Sequence, residues 1–185
     1  MSGIWLYQEG LNLNWFKNAF ERKVKDQFIS EWVVNLRNKS SCDTYICYKE
    51  NFVFENYFSA LPKQCWISMC KLRTNNHRFP IVTGRYNGTI REQRFCNKCS
   101  DNILGDEYHV TLECNNEDIT VLRCQYIPLY YRRYPSKYKF VQLMQNSCHK
   151  VQYNLALFFK GTVRLFTKKL MKRCVGHFFT KYRWL

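Results

Sequence analysis

Four residues of two types at one spacing carry the chemistry of this chain. Residues 96–114 read CNKCSDNILGDEYHVTLEC, which is C-x2-C-x9-H-x4-C. A C-x2-C turn aims two thiolates at one ion while nearby amides hydrogen-bond the sulfurs, and zinc asks for four such soft or borderline ligands in a tetrahedron. Cys96, Cys99, His109 and Cys114 are therefore the predicted zinc ligands. A Cys3His set fills all four positions, whereas a catalytic zinc keeps one open. A redox pair at Cys96 and Cys99 would want a βαβ setting, and none is visible. On an unbroken α-helix His109 and Cys114 would stand about 140° apart. The helix is therefore expected to start at Gly105-Asp106 and to end between the two ligands, with Asn115-Asn116 as a break beyond them. Cys42, Cys47, Cys65, Cys70, Cys124, Cys148 and Cys174 lie among apolar neighbours and read as small hydrophobes.

The elements that must position this set read as helices. Trp15, Phe16, Phe20, Val24, Phe28, Trp32 and Leu36 recur at near four-residue spacing, which predicts an amphipathic helix over 13–38 that ends at Asn38-Lys39-Ser40-Ser41. A short helix over 42–49 and another opening at Pro62 follow, then a break at Thr74-Asn75-Asn76. The run 77–95 has one Pro, two Gly and no sustained period, so it reads as an ordered loop. Helical stretches are expected from Glu117, over 137–145, and from about Cys148 to Cys174. The fold class is mainly α: a helical bundle-like domain with a small Cys3His zinc module and a long basic C-terminal helix. Its parts are an N-terminal helical region (1–95), the zinc module (96–116) and a basic helical region (117–185), packed together as one domain.

Charge separates the last third from the rest. The chain has 185 residues with 29 Lys and Arg against 14 Asp and Glu, and 46% hydrophobic content excludes a disordered tail. The last acid is Asp118. From Ile119 onward 14 bases and no acids give +14, and such a surface is most comfortable beside a polyanion. The candidate contacts are Arg132, Arg133, Lys137, Lys139, Lys160, Arg164, Lys168 and Lys172, the last four recurring every four residues along one helix face. Tyr131, Tyr134 and Tyr138 are candidates to stack on unpaired bases. No stretch approaches the roughly 20 apolar residues of a membrane span, and charges in the first 30 residues leave no room for a signal-peptide core. The expected location is intracellular, nuclear or cytoplasmic.

The stretches LPKQCWISMCKLRTNNHRFPIVTGRY (61–86), REQRFCNKCSDNILGDEYHVTLEC (91–114) and LRCQYIPLYYRRYPSKYKFVQLM (122–144) resemble the region downstream of the polymerase domain in reverse transcriptases of non-LTR (LINE-type) retrotransposons. With DQFISEW in the first helix, the resemblance spans roughly 10–144. It implies that Cys96, Cys99, His109 and Cys114 correspond to the metal ligands of the zinc-binding module found there, and that the chain binds template RNA or target DNA. Polymerase or nuclease chemistry is not implied, because two-metal catalysis needs clustered carboxylates and the acids here fall in loops and helix ends. The expected function is a non-catalytic, zinc-stabilised nucleic-acid-binding fragment of such a reverse transcriptase. The alternatives are a zinc-stabilised protein-interaction or structural domain, and a basic helix on anionic membrane carrying Phe158, Phe159, Phe166, Phe178, Phe179 and Trp184.

Overall fold

The computed structural model describes residues 12–178, with side chains as far as residue 167. Two compact units divide at Ser40. Helices dominate, and among the described residues the β-structure is one isolated antiparallel bridge, Phe95 to Leu104.

The first unit is helix α1, Leu13–Arg37. Asn12 caps it by accepting the amide hydrogens of Asn14 and Trp15 at 3.0 and 3.2 Å, and it stops at Asn38, where the polar cluster begins. The four-residue spacing yields the helix but no burial. None of its residues is buried, and Trp15, Phe16, Phe20, Val24 and Phe28 are all exposed.

The second unit holds short helices α2 (Asp43–Ile46) and α3 (Tyr57–Ala60), then α4 (Lys63–Arg73) and α5 (Pro80–Tyr86). After the Cys96–Cys114 segment come α6 (Glu117–Tyr126), α7 (Leu129–Arg132), α8 (Lys137–Gln145) and α9 (His149–Phe178). Helix α5 corrects the loop expected over 77–95. Pro80 opens it at its first turn, where a missing N–H is harmless. The helix is too short to show a period, and Gly84 inside it is a packing requirement: a Cβ there would lie 2.6 Å from Cγ of Arg94. The Arg94 side chain crosses this point to donate to the carbonyls of Thr89 and Ile81.

Helix α9 packs against both α4 and α6. Phe158 and Phe159 of α9, Met69 of α4, Ile119 of α6, Phe79, and Leu143 and Met144 of α8 are almost completely buried. Three polar side chains sit in this core two residues apart, just where a helix break is expected. Arg73 forms an ion pair with Glu55 at 2.9 Å, donates to the carbonyl of Met144, and lies over the rings of Tyr48 and Tyr57. Asn75, at φ 51°, donates to the carbonyl of Ser41. His77 accepts the Phe79 amide hydrogen at Nδ1, so its Nε2 carries the proton that it donates to Glu107 at 2.8 Å. Burial alone would push the Glu107 carboxyl up, but hydrogen bonds from His77 and Thr44 outweigh it and hold it below the usual carboxylate range.

Candidate functional site

The Phe95–Leu104 bridge folds the Cys96–Cys99 turn back on itself. The Cys96 amide donates to Ile103 at 2.8 Å and that of Gly105 to Arg94 at 2.9 Å. Gly105 then passes so close to Pro80 that a Cβ would meet the ring at 2.7 Å, and its carbonyl accepts from Ile81. Asp106 caps the next turn, its carboxylate accepting the His109 amide hydrogen at 2.8 Å.

The winding of that turn replaces the helix end expected between the two later ligands. His109–Glu113 is a π-helix, closed by the Cys114 amide donating to the His109 carbonyl five residues back at 2.7 Å. An i→i+5 turn stacks residues five apart one above the other, so His109 and Cys114 share a face without a break. Past Cys114 the two asparagines tie the segment together. Asn115 donates to Asp101 at 2.7 Å, and Asn116 donates to the Lys98 carbonyl and caps α6.

Cys96, Cys99, His109 and Cys114 can hold a metal ion: one ligand atom from each lies within 4.8 Å of all the others. The Cys96 and Cys114 sulfurs are 3.9 Å apart and Cys99 Sγ is 3.3 Å from His109 Nε2. Those spacings fit a tetrahedron of about 2.3 Å metal–sulfur bonds, whose edge is about 3.8 Å. Cys96, His109 and Cys114 are buried. Three thiols this close hold little negative charge among themselves. Hydrogen bonding from Cys114 pulls the Cys96 thiol down to about 3, the same contact pushes Cys114 well up, and burial raises Cys99. A divalent cation at their centre lets all three ionise. On the far side of the imidazole, His109 Nδ1 is buried without a hydrogen bond, and the Glu113 carboxylate stands 3.8 Å away.

Arg123 completes the turn and had no signal in the sequence beyond being one base among many. Its buried guanidinium donates to the carbonyls of Thr111 (2.8 Å), Val110 (3.2 Å) and Cys114 (2.7 Å), the groups that a π turn leaves open at its end. Arg123→Leu is expected to lower stability by about 1–3 kcal/mol, the cost of leaving buried acceptors unpaired, and to speed metal loss to a chelator. Urea unfolding and chelator competition check both. Parent-like values in the two assays would mean that the turn holds itself.

Comparison of the chain with family models, curated proteins and solved structures finds no match.

The predicted basic contacts separate into distinct environments. Arg133 and Lys137 are exposed, Arg133 lying over the Tyr134 ring at 5.6 Å. Lys139 is half-buried, donating to the Arg133 carbonyl with its ammonium 5.0 Å from the centre of the Tyr130 ring. Arg132 is half-buried and donates to Cys124 Sγ at 3.1 Å, which draws it away from solvent. Lys160 and Arg164 border a cleft beside α4; the side chains of Lys168 and Lys172 lie outside the described residues. Tyr134 and Tyr138 are 78% and 70% exposed, but Tyr131 is buried with its hydroxyl accepting from Asn146. Tyr131 is thus a core residue and not a stacking platform.

Other expectations need correction. Cys47, Cys124 and Cys148 are exposed and do not act as core hydrophobes, whereas Cys65 is buried and Cys42 and Cys70 are half-buried. Cys174 falls outside the described side chains. Glu107 stands at a helix start, as expected, but is fully buried there. Phe158, Phe159 and Phe166 are buried, so they cannot enter a membrane face; Phe178, Phe179 and Trp184 lie beyond the described side chains. Among the described residues no helix is long and apolar enough to cross a membrane.

Proposed function

We propose that this chain is a non-catalytic, zinc-stabilised nucleic-acid-binding module of the kind that lies downstream of the polymerase domain in LINE-type reverse transcriptases. The observation that carries the reading is the surface at 130–139. Exposed Tyr130, Tyr134 and Tyr138 are interleaved with Arg133, Lys137 and Lys139, two of these cations lie over tyrosine rings, and no acid follows Asp118. Cations serve phosphates and exposed rings serve unstacked bases.

Zinc is the metal we assign, because three thiolates and an imidazole form a closed soft set. Cys96, Cys99, His109 and Cys114 would hold it, and when bound it would supply structure and no reacting group. The non-catalytic reading is supported by the carboxylates. Among the described residues the Cys3His set is the one group that could hold a metal, while Glu107 is buried against His77 and Asp101 accepts from Asn115. A further observation favours the protein-interaction alternative for the first unit alone: Trp15, Phe16, Phe20, Val24 and Phe28 of α1 are exposed.

Replacing Arg133, Lys137 and Lys139 together by Gln should weaken binding to RNA and DNA of any sequence and lower the salt slope by about 0.7–0.9 per lost contact. Fluorescence anisotropy across a salt series measures this. An unchanged slope would move the chain to the protein-interaction reading.

A further inference from the structure

Helices α4 and α9 meet along a cleft of about 190 Å³ that the zinc site does not use. Its edge carries Lys71 from α4 and Lys160 and Arg164 from α9, residues that only the folded chain brings together. Its apolar wall is made by half-buried Ile67 and Val163, backed by Leu72 and Phe159, and no carboxylate among the described residues lines it. Lys71 and Arg164 are exposed, while Lys160 donates to the side-chain oxygen of Gln64 at 3.0 Å and not to an acid. His77 also borders the cleft, but its side chain is almost wholly buried and both its ring nitrogens are engaged elsewhere, so it adds no competing polar group.

We infer that this cleft seats one unstacked base of a single-stranded nucleic acid, with Lys71, Lys160 and Arg164 on the flanking phosphates. The inference rests on the nucleic-acid reading above and adds a second, concave contact to the tyrosine surface at 130–139. An apolar wall inside a cationic rim matches a flat neutral ring whose flanking phosphates carry the negative charge. A mineral anion would leave the wall unused, and a paired duplex base is stacked away from such a cleft. A cleft of about 190 Å³ has the scale of one ring system and not of a helix.

The test uses the full zinc-loaded chain with a labelled single-stranded RNA, the matching single-stranded DNA and the duplex. Ser68→Trp fills the cleft from α4 without changing charge. It should weaken single-strand binding about fivefold or more, the lower range for losing one stacked base, and leave duplex binding alone. Lys71→Gln with Arg164→Gln should lower the single-strand salt slope by about 0.7 per contact. This charge pair decides the matter if circular dichroism shows that Ser68→Trp disturbs the fold. If both variants bind single strands like the parent while the Arg133, Lys137, Lys139 variant is weakened, the cleft is not a base seat and the nucleic-acid reading stands. If the parent binds no nucleic acid, or binds only vesicles of acidic lipid, that reading and the cleft assignment fall together.

Discussion

The double variant Cys96→Ser, Cys99→Ser will emerge from purification without metal and without a stable second unit. Structural zinc contributes about 10–16 kcal/mol to small zinc-binding peptides at neutral pH, which matches or exceeds the whole stability of an ordinary domain at about 5–15 kcal/mol. Here the ligands do more than close a loop. The π turn between His109 and Cys114 carries Val110 and Leu112 into the core, and Lys98, between the first two ligands, donates to the Leu165 carbonyl of α9 at 2.7 Å. Releasing the ion therefore loosens the segment and the helix contacts it anchors. Metal analysis should find one zinc per parent chain and none in the variant, and thermal melting by circular dichroism should lose its cooperative transition. Cys47→Ser and Cys148→Ser, at exposed positions, should keep both the metal and the melt. A double variant that retains one equivalent of zinc would remove these residues from the site.

Arg73→Ala should cost about 2–5 kcal/mol, the range for deleting a large buried side chain and leaving its space empty. The guanidinium is almost wholly buried, paired with Glu55, hydrogen-bonded to the Met144 carbonyl and set against Tyr48 and Tyr57. Lys49 also reaches Glu55, at 2.7 Å, so the carboxylate keeps one cation when Arg73 is lost; what remains uncovered is the Met144 carbonyl and the space between two rings. Arg73→Lys should recover only part of the loss, because a point charge cannot reach the carboxylate and the carbonyl together and offers no planar face to the tyrosines. Urea unfolding of the zinc-loaded chain measures both variants. A change below about 1 kcal/mol for Arg73→Ala would mean that the site repacks freely.

The Cys3His cluster was legible because the capacity to hold a metal is written in residue type and short spacing, which survive without knowledge of the fold. The long helices were legible for a similar reason: α1, α4, α8 and α9 each run far enough to display a period or carry a cap. What could not be read were features whose cause is distant in sequence. The π turn looks like any five residues until Arg123 arrives to take its carbonyls. Helix α5 has too few residues for a period, and its Gly84 resembles a breaker until Arg94 lies across it. Side-chain periodicity marked α1 correctly as a helix, yet periodicity does not set burial, and Trp15, Phe16, Phe20, Val24 and Phe28 are exposed while Trp32 and Leu36 are half-buried. Tyr131 and Tyr134 are indistinguishable by composition; α7 turns Tyr131 inward, while Tyr134 lies past the end of that helix and faces outward.

The alternation of Arg73, Asn75 and His77 has a kinetic consequence. Their partners lie 18 and 71, 34, and 30 residues away along the chain. None of these bonds can form while α4 is only a local helix, since each waits for a loop to close and for a remote element to arrive. Helical proteins owe their speed to local contacts, and this five-residue stretch is the opposite. Its polar groups stay hydrated until the surrounding helices have docked, so the barrier to the native state is expected to carry the closure of those loops.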